Sequence, residues 1–157
     1  METEHREVII VGAGPAGTTC AQRLAEDEID VLILERRAII GNPAQCGECI
    51  PNWGEVVATF HGIDDHEWLK ESFNFPDRIQ LHRLDHMRVF LPSGKSYNFE
   101  LDAFAGHRLQ FDGYLAEKAV EAGAEIRMSE PVTNIKRRSK SNSLLIVTEK
   151  GRYTCDL

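Results

Sequence analysis

The run Val8-Ile9-Ile10-Val11, followed at once by Gly12-Ala13-Gly14-Pro15-Ala16-Gly17, leaves this chain few folds to choose from. Four consecutive apolar, β-branched residues read as a strand buried on both faces. Gly12 lets the backbone turn sharply off that strand. Gly14 offers bare backbone that a pyrophosphate can approach, and Gly17 lets the following helix pack close to the sheet. The helix N-terminus then presents free N–H groups and the positive end of its dipole to phosphate. A second apolar run, Val31-Leu32-Ile33-Leu34, ends in Glu35, 18 residues after Gly17. A carboxylate there can accept hydrogen bonds from both hydroxyls of a ribose. A lone G-x-G-x-x-G fits many ordinary glycine turns; the flanking strand, helix and acid together predict a dinucleotide site built on Gly12, Gly14, Pro15, Ala16, Gly17 and Glu35. They do not choose between FAD and NAD.

Size and charge narrow the classes. A chain of 157 residues is at most one domain, and it can bury roughly 70% of its unfolded surface. The formal charge of −7 argues against nucleic acid and against general attraction to an anionic surface. The basic cluster Lys136-Arg137-Arg138 with Lys140 reads as a solvated loop. No apolar run approaches the roughly 20 residues needed to span a bilayer, and Met1 to Glu7 is too charged and short for a signal peptide. A cytoplasmic protein with free thiols is expected. The closing residues, Gly151 to Leu157, begin a strand and stop, which suggests the N-terminal portion of something longer.

Along the chain, the pattern predicts a strand at Glu7–Val11 and a helix from Pro15 to about Glu26. Ala16, Cys20 and Leu24 would form that helix's packed face. A second strand follows at Asp30–Glu35. Arg36 to Pro51, punctuated by Gly41, Pro43, Gly47 and Pro51, reads as a long binding loop. Short helices are expected at Trp53–Phe60 and Asp64–Ser72. Strands follow at Asp85–Leu91 and Tyr97–Leu101, joined by the turn Pro92-Ser93-Gly94-Lys95. A helix at Asp112–Gly123 would be capped by Asp112 and ended by Gly123. Then come a third parallel strand at Ala124–Met128 and a meander over Val132–Lys136, Leu144–Glu149 and Arg152–Leu157. The fold class is α/β: a Rossmann-like parallel sheet with an antiparallel β-meander. The meander and the insertion after the second strand favour the FAD-binding variant over regular βα repetition.

Three segments carry a resemblance to a known family. The first is Val11 to Gly17 with Leu34-Glu35-Arg36-Arg37. The second is Ile40-Gly41-Asn42-Pro43-Ala44-Gln45-Cys46-Gly47-Glu48, similar to an IGxPxxCGE loop. The third is Arg108-Leu109-Gln110-Phe111-Asp112-Gly113-Tyr114-Leu115, followed by Ala122-Gly123-Ala124. Together they resemble the geranylgeranyl reductase family of FAD-dependent oxidoreductases, in particular the archaeal digeranylgeranylglycerophospholipid reductases, over their N-terminal half. Residues 1–157 would then be an FAD-binding domain whose substrate-binding insertion begins within about 53–105.

The resemblance implies reduction of isoprenoid double bonds by a flavin. It implies a prenyl lipid substrate, a ferredoxin, quinol or NAD(P)H as electron donor, and peripheral contact with a membrane. Gly12, Gly14, Pro15, Ala16 and Gly17 would contact the FAD pyrophosphate and Glu35 the adenosine ribose. Arg36 would lie near the adenosine or phosphates, Arg108 near the ribityl–phosphate region, and Val132 would offer backbone bonds to adenine. Cys46 and Glu48, with Gly47, would stand beside the isoalloxazine ring as the catalytic loop. Cys49 departs from the family, which more often has a small residue such as glycine there.

Plainer readings stand beside these. Cys46-x-x-Cys49 could be a redox dithiol, but a single CxxC also fits two ordinary thiols, and zinc would need four ligands. Cys20 and Cys155 read as small core residues. His82, His86 and His107 show no evident partners. Trp53, Phe60, Trp68, Phe73 and Phe75 read as packing for the insertion, or as the wall of a prenyl-chain tunnel. Two further functions share parts of the pattern: an FAD-dependent monooxygenase of the aromatic hydroxylase type, and a non-catalytic nucleotide-binding module.

Overall fold

A computed structural model describes residues 3–46, 49–60, 62–63, 66–138 and 143–156. The chain forms two compact units, one of residues 1–44 and 111–157, the other of residues 45–110. In chain order the first unit begins with β1 (Thr3–Arg6), β2 (Val8–Val11), α1 (Pro15–Glu26) and β3 (Val31–Leu34). The second contains β4 (Cys49–Pro51), α2 (Trp53–Thr59), α3 (Glu67–Ser72), a 3₁₀ turn (Asp77–Ile79), β5 (Gln80–Phe90) and β6 (Ser96–Gly106). Helix α4 (Arg108–Ala122) leads back to β7 (Glu125–Arg127), β8 (Val132–Arg137), β9 (Leu144–Thr148) and β10 (Arg152–Cys155).

The first unit is layered about β3. Strands β2, β3 and β7 make a parallel sheet with β3 in the middle. All four β3 residues are buried, and strand alternation sends them to two different cores. Val31 and Ile33 pack with Ala21 and Ala25 of α1 and Ala119 of α4. Leu32 and Leu34 pack with Ile146, Tyr153 and Cys155 of the meander. Each such buried aliphatic side chain contributes roughly 1.5–3 kcal/mol. The meander is the sheet β1-β10-β9-β8, antiparallel except that β1 runs parallel to β10.

Several expectations change here. Cys20 does not reach the core: it is exposed, because the stripe of α1 that meets the sheet is Thr18, Ala21 and Ala25, rotated away from Cys20. The small alanines allow that close approach. Cys155 is buried, as expected. Asp112 is not the N-cap: α4 starts a turn earlier, at Arg108, which places Asp112 inside the helix, where it is buried. The loop 36–51 is not structureless to its end, since Cys49–Pro51 pairs with Ala103–Ala105 as β4. Lys136 and Arg137 belong to β8 rather than to a loop. The expected turn at 139–142 lies outside the described residues.

Strand β1 owes its place to ion pairs. Glu4 accepts from Arg127 at 2.7 and 2.9 Å and from Arg6 at 2.6 Å, while Arg6 also pairs with Asp30 and Glu125. The Arg127 hydrogen bonds, helped by Arg6 and opposed by burial, pull the Glu4 carboxyl down from 4.5 to about 2. A carboxyl lowered by folding stabilises the fold fully above its unfolded value, and that contribution fades as pH falls from about 4.5 towards about 2. Glu4 is more than a third exposed, so the effect should be of order 1 kcal/mol or less. Denaturation of Glu4→Gln and the parent chain should therefore differ at neutral pH and converge near pH 2. A gap that persists in acid would assign the difference to something other than this carboxylate.

The second unit is built on the sheet β4-β6-β5. Its packing is aromatic: Trp53 on Phe73, Phe73 on Phe75 and Phe75 on the fully buried Phe104, each at about 6 Å between ring centres. Phe60 and Trp68 are exposed instead. His82 and His107 lie on the surface; so does His86, whose Nδ1 meets Asp85. Among the described residues, no helix is long and apolar enough to cross a membrane.

Candidate functional site: a glycine turn locked to a buried glutamate

The site is assembled by the ends of β2 and β3. Gly12 leaves β2 at φ +103°, a conformation other residues rarely adopt, and its N–H donates to the Leu34 carbonyl at 2.9 Å. Gly17 sits one helical turn on. A Cβ added there would lie 2.2 Å from the Gly12 carbonyl oxygen, so no side chain fits. Thr18, fully buried, fastens the first turn of α1 by donating its hydroxyl to the Gly14 and Pro15 carbonyls.

Gly14 is the exposed N-cap of this 12-residue helix. It supplies no side chain, and a Cβ built on it would meet nothing within 4 Å. No acidic residue stands in the first turn, and Pro15 takes an early position where a missing N–H costs little. The helix therefore ends in an open, uncapped row of N–H groups that suits a diphosphate.

Glu35 is 92% shielded, at 8% exposure, and is gripped from four sides. Its Oε2 accepts from the Ala13 N–H at 2.7 Å and its Oε1 from the Arg37 N–H at 2.8 Å. Its own N–H donates to the Arg127 carbonyl, and its carbonyl accepts from the Glu130 N–H. A carboxylate has about four acceptor sites, so each oxygen keeps one for a ligand hydroxyl. This second role, tying the glycine turn to the end of β3, was not read from the sequence; nor were Ala13 and Thr18. The turn, the uncapped helix and the anchored acid fit the diphosphate and ribose of a dinucleotide such as FAD.

The other predicted residues divide between the units. Arg36 is exposed directly after Glu35. Val132 opens β8, paired with Thr148 beside an irregularity in the ladder, and packs on the meander core. It follows Glu130, whose carboxylate is buried and accepts from Tyr153 at 2.6 Å and Thr148 at 2.9 Å. Burial, then the bond to Glu130, raises the Tyr153 phenol above its usual range. Thus Gly12, Gly14, Pro15, Ala16, Gly17, Glu35, Arg36 and Val132 all belong to the first unit. Cys46 and Arg108 belong to the second, Cys46 exposed and Arg108 half-buried at the start of α4. Gly47 and Glu48 lie outside the described residues.

Residues 10–75 match the family described as NAD(P)-binding Rossmann-like domain. The chain is 37% identical over 129 residues to an uncharacterized protein in the nifH2 5′ region of Methanosarcina barkeri, covering 82% of this chain and 68% of that protein. It is 38% identical over 122 residues to digeranylgeranylglycerophospholipid reductase 2 of Methanopyrus kandleri, covering 78% of this chain but 28% of that reductase. A geranylgeranyl bacteriochlorophyll reductase-like protein of Thermoplasma acidophilum shares the fold, with a TM-score of 0.76 at 24% identity, over 98% of this chain and 38% of that one. The chain thus spans under a third of the length of the Methanopyrus reductase. With its glycine turn, anchored acid and meander-backed parallel sheet, the chain is a relative of proteins named digeranylgeranylglycerophospholipid reductase.

Proposed function

We propose that the chain binds FAD at the glycine turn and serves an enzyme that reduces isoprenoid double bonds of lipids. The observation that carries this reading is the interlock of Gly12, Gly17 and Glu35: a turn that admits no side chain at Gly17, fastened by Glu35 to the end of β3. FAD, when bound and reduced, would supply a hydride which, with a proton from an acid or water, saturates the alkene. The chain's own part is to bind and orient. The N–H groups after Gly14 would hold the diphosphate, the spare acceptor sites of Glu35 the adenosine ribose, and the Val132 backbone adenine. As the resemblance implies, Arg36 would serve the adenosine or phosphates, Arg108 the ribityl–phosphate region, and Cys46, Gly47 and Glu48 the isoalloxazine, with Cys46 and Glu48 as the catalytic residues.

The substrate class is a prenyl lipid, and the electrons come from a ferredoxin, a quinol or NAD(P)H. The work takes place at the cytoplasmic side, in peripheral contact with a membrane. The resemblance of the loop 40–48 supports the reductase over the hydroxylase chemistry. Titrating the chain with FAD and, separately, with NADH tests the cofactor: flavin fluorescence should quench on binding, with a stoichiometric end point, and NADH should bind far more weakly. Tight NADH binding without FAD binding would overturn the proposal.

A further inference from the structure

Past the end of β7 the chain turns back along the end of β3. Ser129 holds φ +55°, in the left-handed region that residues other than glycine seldom adopt. The turn lays residues 127–130 against Glu35 and Arg37. Glu35 donates its N–H to the Arg127 carbonyl at 2.9 Å, Ser129 donates to the Arg37 carbonyl at 2.9 Å, and Glu130 donates to the Glu35 carbonyl at 2.8 Å. The backbone of Glu35 is thus held by this segment, while its side chain holds the Ala13 and Arg37 N–H groups.

A disfavoured backbone conformation persists only where its surroundings fix it. Here Glu130 supplies the fixing. It is 4% exposed, and its Oε1 accepts from the hydroxyls of Thr148 on β9 and Tyr153 on β10. Both donors are themselves held. The Thr148 hydroxyl accepts from the Lys150 and Gly151 N–H groups, so the β9–β10 turn closes on it. The Tyr153 ring packs in the core with Leu32 and Leu34, and its hydroxyl accepts from Arg127.

A buried carboxylate destabilises the fold unless its bonds offset the loss of water. An apolar side chain would fill the same space without that penalty. What the acid adds is direction: it ties a fixed point of the meander to the residue that binds the Glu35 carbonyl. The tie extends to Val132. Pro131 locks its own φ and disfavours the helical region for Glu130, so residues 130–132 form a stiff segment. Val132 also lies opposite Thr148 in the β8–β9 ladder. One side chain therefore stands between the positions read as the ribose and adenine contacts.

We propose that Glu130 is a positioning residue for the adenosine half of the dinucleotide: its carboxylate, held by Thr148 and Tyr153, fixes the turn at Ser129, and the turn fixes the Glu35 carboxylate and the Val132 backbone. It rests on the FAD-binding reading for its purpose, but the placing of Glu35 can be measured without flavin.

Amide hydrogen exchange on the unliganded 157-residue chain reads that placing. In Glu130→Ala the amides of Ala13, Arg37 and Ser129 should exchange about tenfold faster, while those of Leu32 and Ile33 in the middle strand keep the parent rate. Glu130→Gln retains a carbonyl oxygen for both hydroxyls and should restore parental exchange. Tyr153→Phe keeps the ring in the core and removes one of the two donors. It should raise the same amides about threefold, and it carries the test should Glu130→Ala not fold. Affinities for FAD and for ADP should fall together, about tenfold in Glu130→Ala and little in Glu130→Gln. Equal acceleration at Leu32 and Ile33 would mark a general loss of stability and overturn the proposal. So would parental FAD affinity in a folded Glu130→Ala. Local acceleration in Glu130→Ala, with a parent that binds no FAD, would sink the flavin reading and leave the placing of Glu35 by Glu130 standing; FAD binding by the parent, with parental exchange in Glu130→Ala, would do the reverse.

Discussion

Gly17→Ala is expected to weaken FAD binding roughly 100-fold and to loosen the first unit. The added methyl would sit 2.2 Å from the Gly12 carbonyl oxygen, with the Ile10 side chain at 3.2 Å. The obstructing atom is backbone, so it cannot swing aside as a flexible side chain would. Either α1 retreats from the sheet or the Gly12 turn opens. Retreat would pull Ala21 and Ala25 away from Val31 and Ile33. Opening would break the bond from the Gly12 N–H to Leu34. Overpacking of this kind costs about 1–3 kcal/mol, and a phosphate cradle displaced by as much should lose roughly 100-fold in affinity. A thermal melt and a flavin titration on the same sample read both effects. Gly14→Ala is the control, since its methyl meets open space: it should leave the melt nearly unchanged while crowding the diphosphate. If Gly17→Ala binds flavin like the parent, the diphosphate does not lie on this turn.

Replacing Glu35 should separate its two duties. Glu35→Ala removes the acceptors of the Ala13 and Arg37 N–H groups in a buried setting, and a buried donor left without a partner costs about 1–3 kcal/mol. It would also remove the acceptor proposed for the ribose, so affinity for FAD should fall by at least about tenfold, the value of one charge-assisted hydrogen bond. Glu35→Gln retains one carbonyl oxygen and turns an NH₂ towards a backbone N–H. It should melt between the parent and Glu35→Ala, and bind FAD more weakly than the parent. Parental affinity in Glu35→Gln would mean the carboxylate serves the turn alone and the ribose is held elsewhere.

What the sequence revealed follows how each element is held. The β2–α1–β3 unit was legible because its interactions are local: an apolar run, glycines at fixed spacing, a helix from Pro15 to Glu26. The turn between β5 and β6 was legible from Pro92-Ser93-Gly94, but the strands reach back to Gln80 and on to Gly106. Their bases are held by β4 and by aromatic contacts through Phe104, which are partners far along the chain. Strand β1 was invisible because Thr3 to Arg6 has no apolar alternation; its partners are charges on β7 and the backbone of β10. Asp112 looks like a cap because Asp often starts helices, yet α4 begins a turn earlier and hides it. In the site, the glycine spacing disclosed the turn and the uncapped start of α1, and the second apolar run disclosed where Glu35 stands. The bond from Ala13 to Glu35 depends on two strand ends meeting, which no spacing records.

Strand β1 also sets a limit on the order of events during synthesis. His5 and Thr154 touch at 3.2 Å although 149 residues separate them, and Asp156 donates its N–H to the Glu7 carbonyl. Strand β1, made well before β10, is thus among the last to find its place. Until β10 emerges, Glu4 and Arg6 can reach Arg127 and Glu125, but the backbone of β1 has no ladder to join. Closing so long a loop is slow relative to the local βαβ steps. A nascent chain stalled before Arg152 should therefore hold the β2–α1–β3 core while leaving its first six residues open to protease.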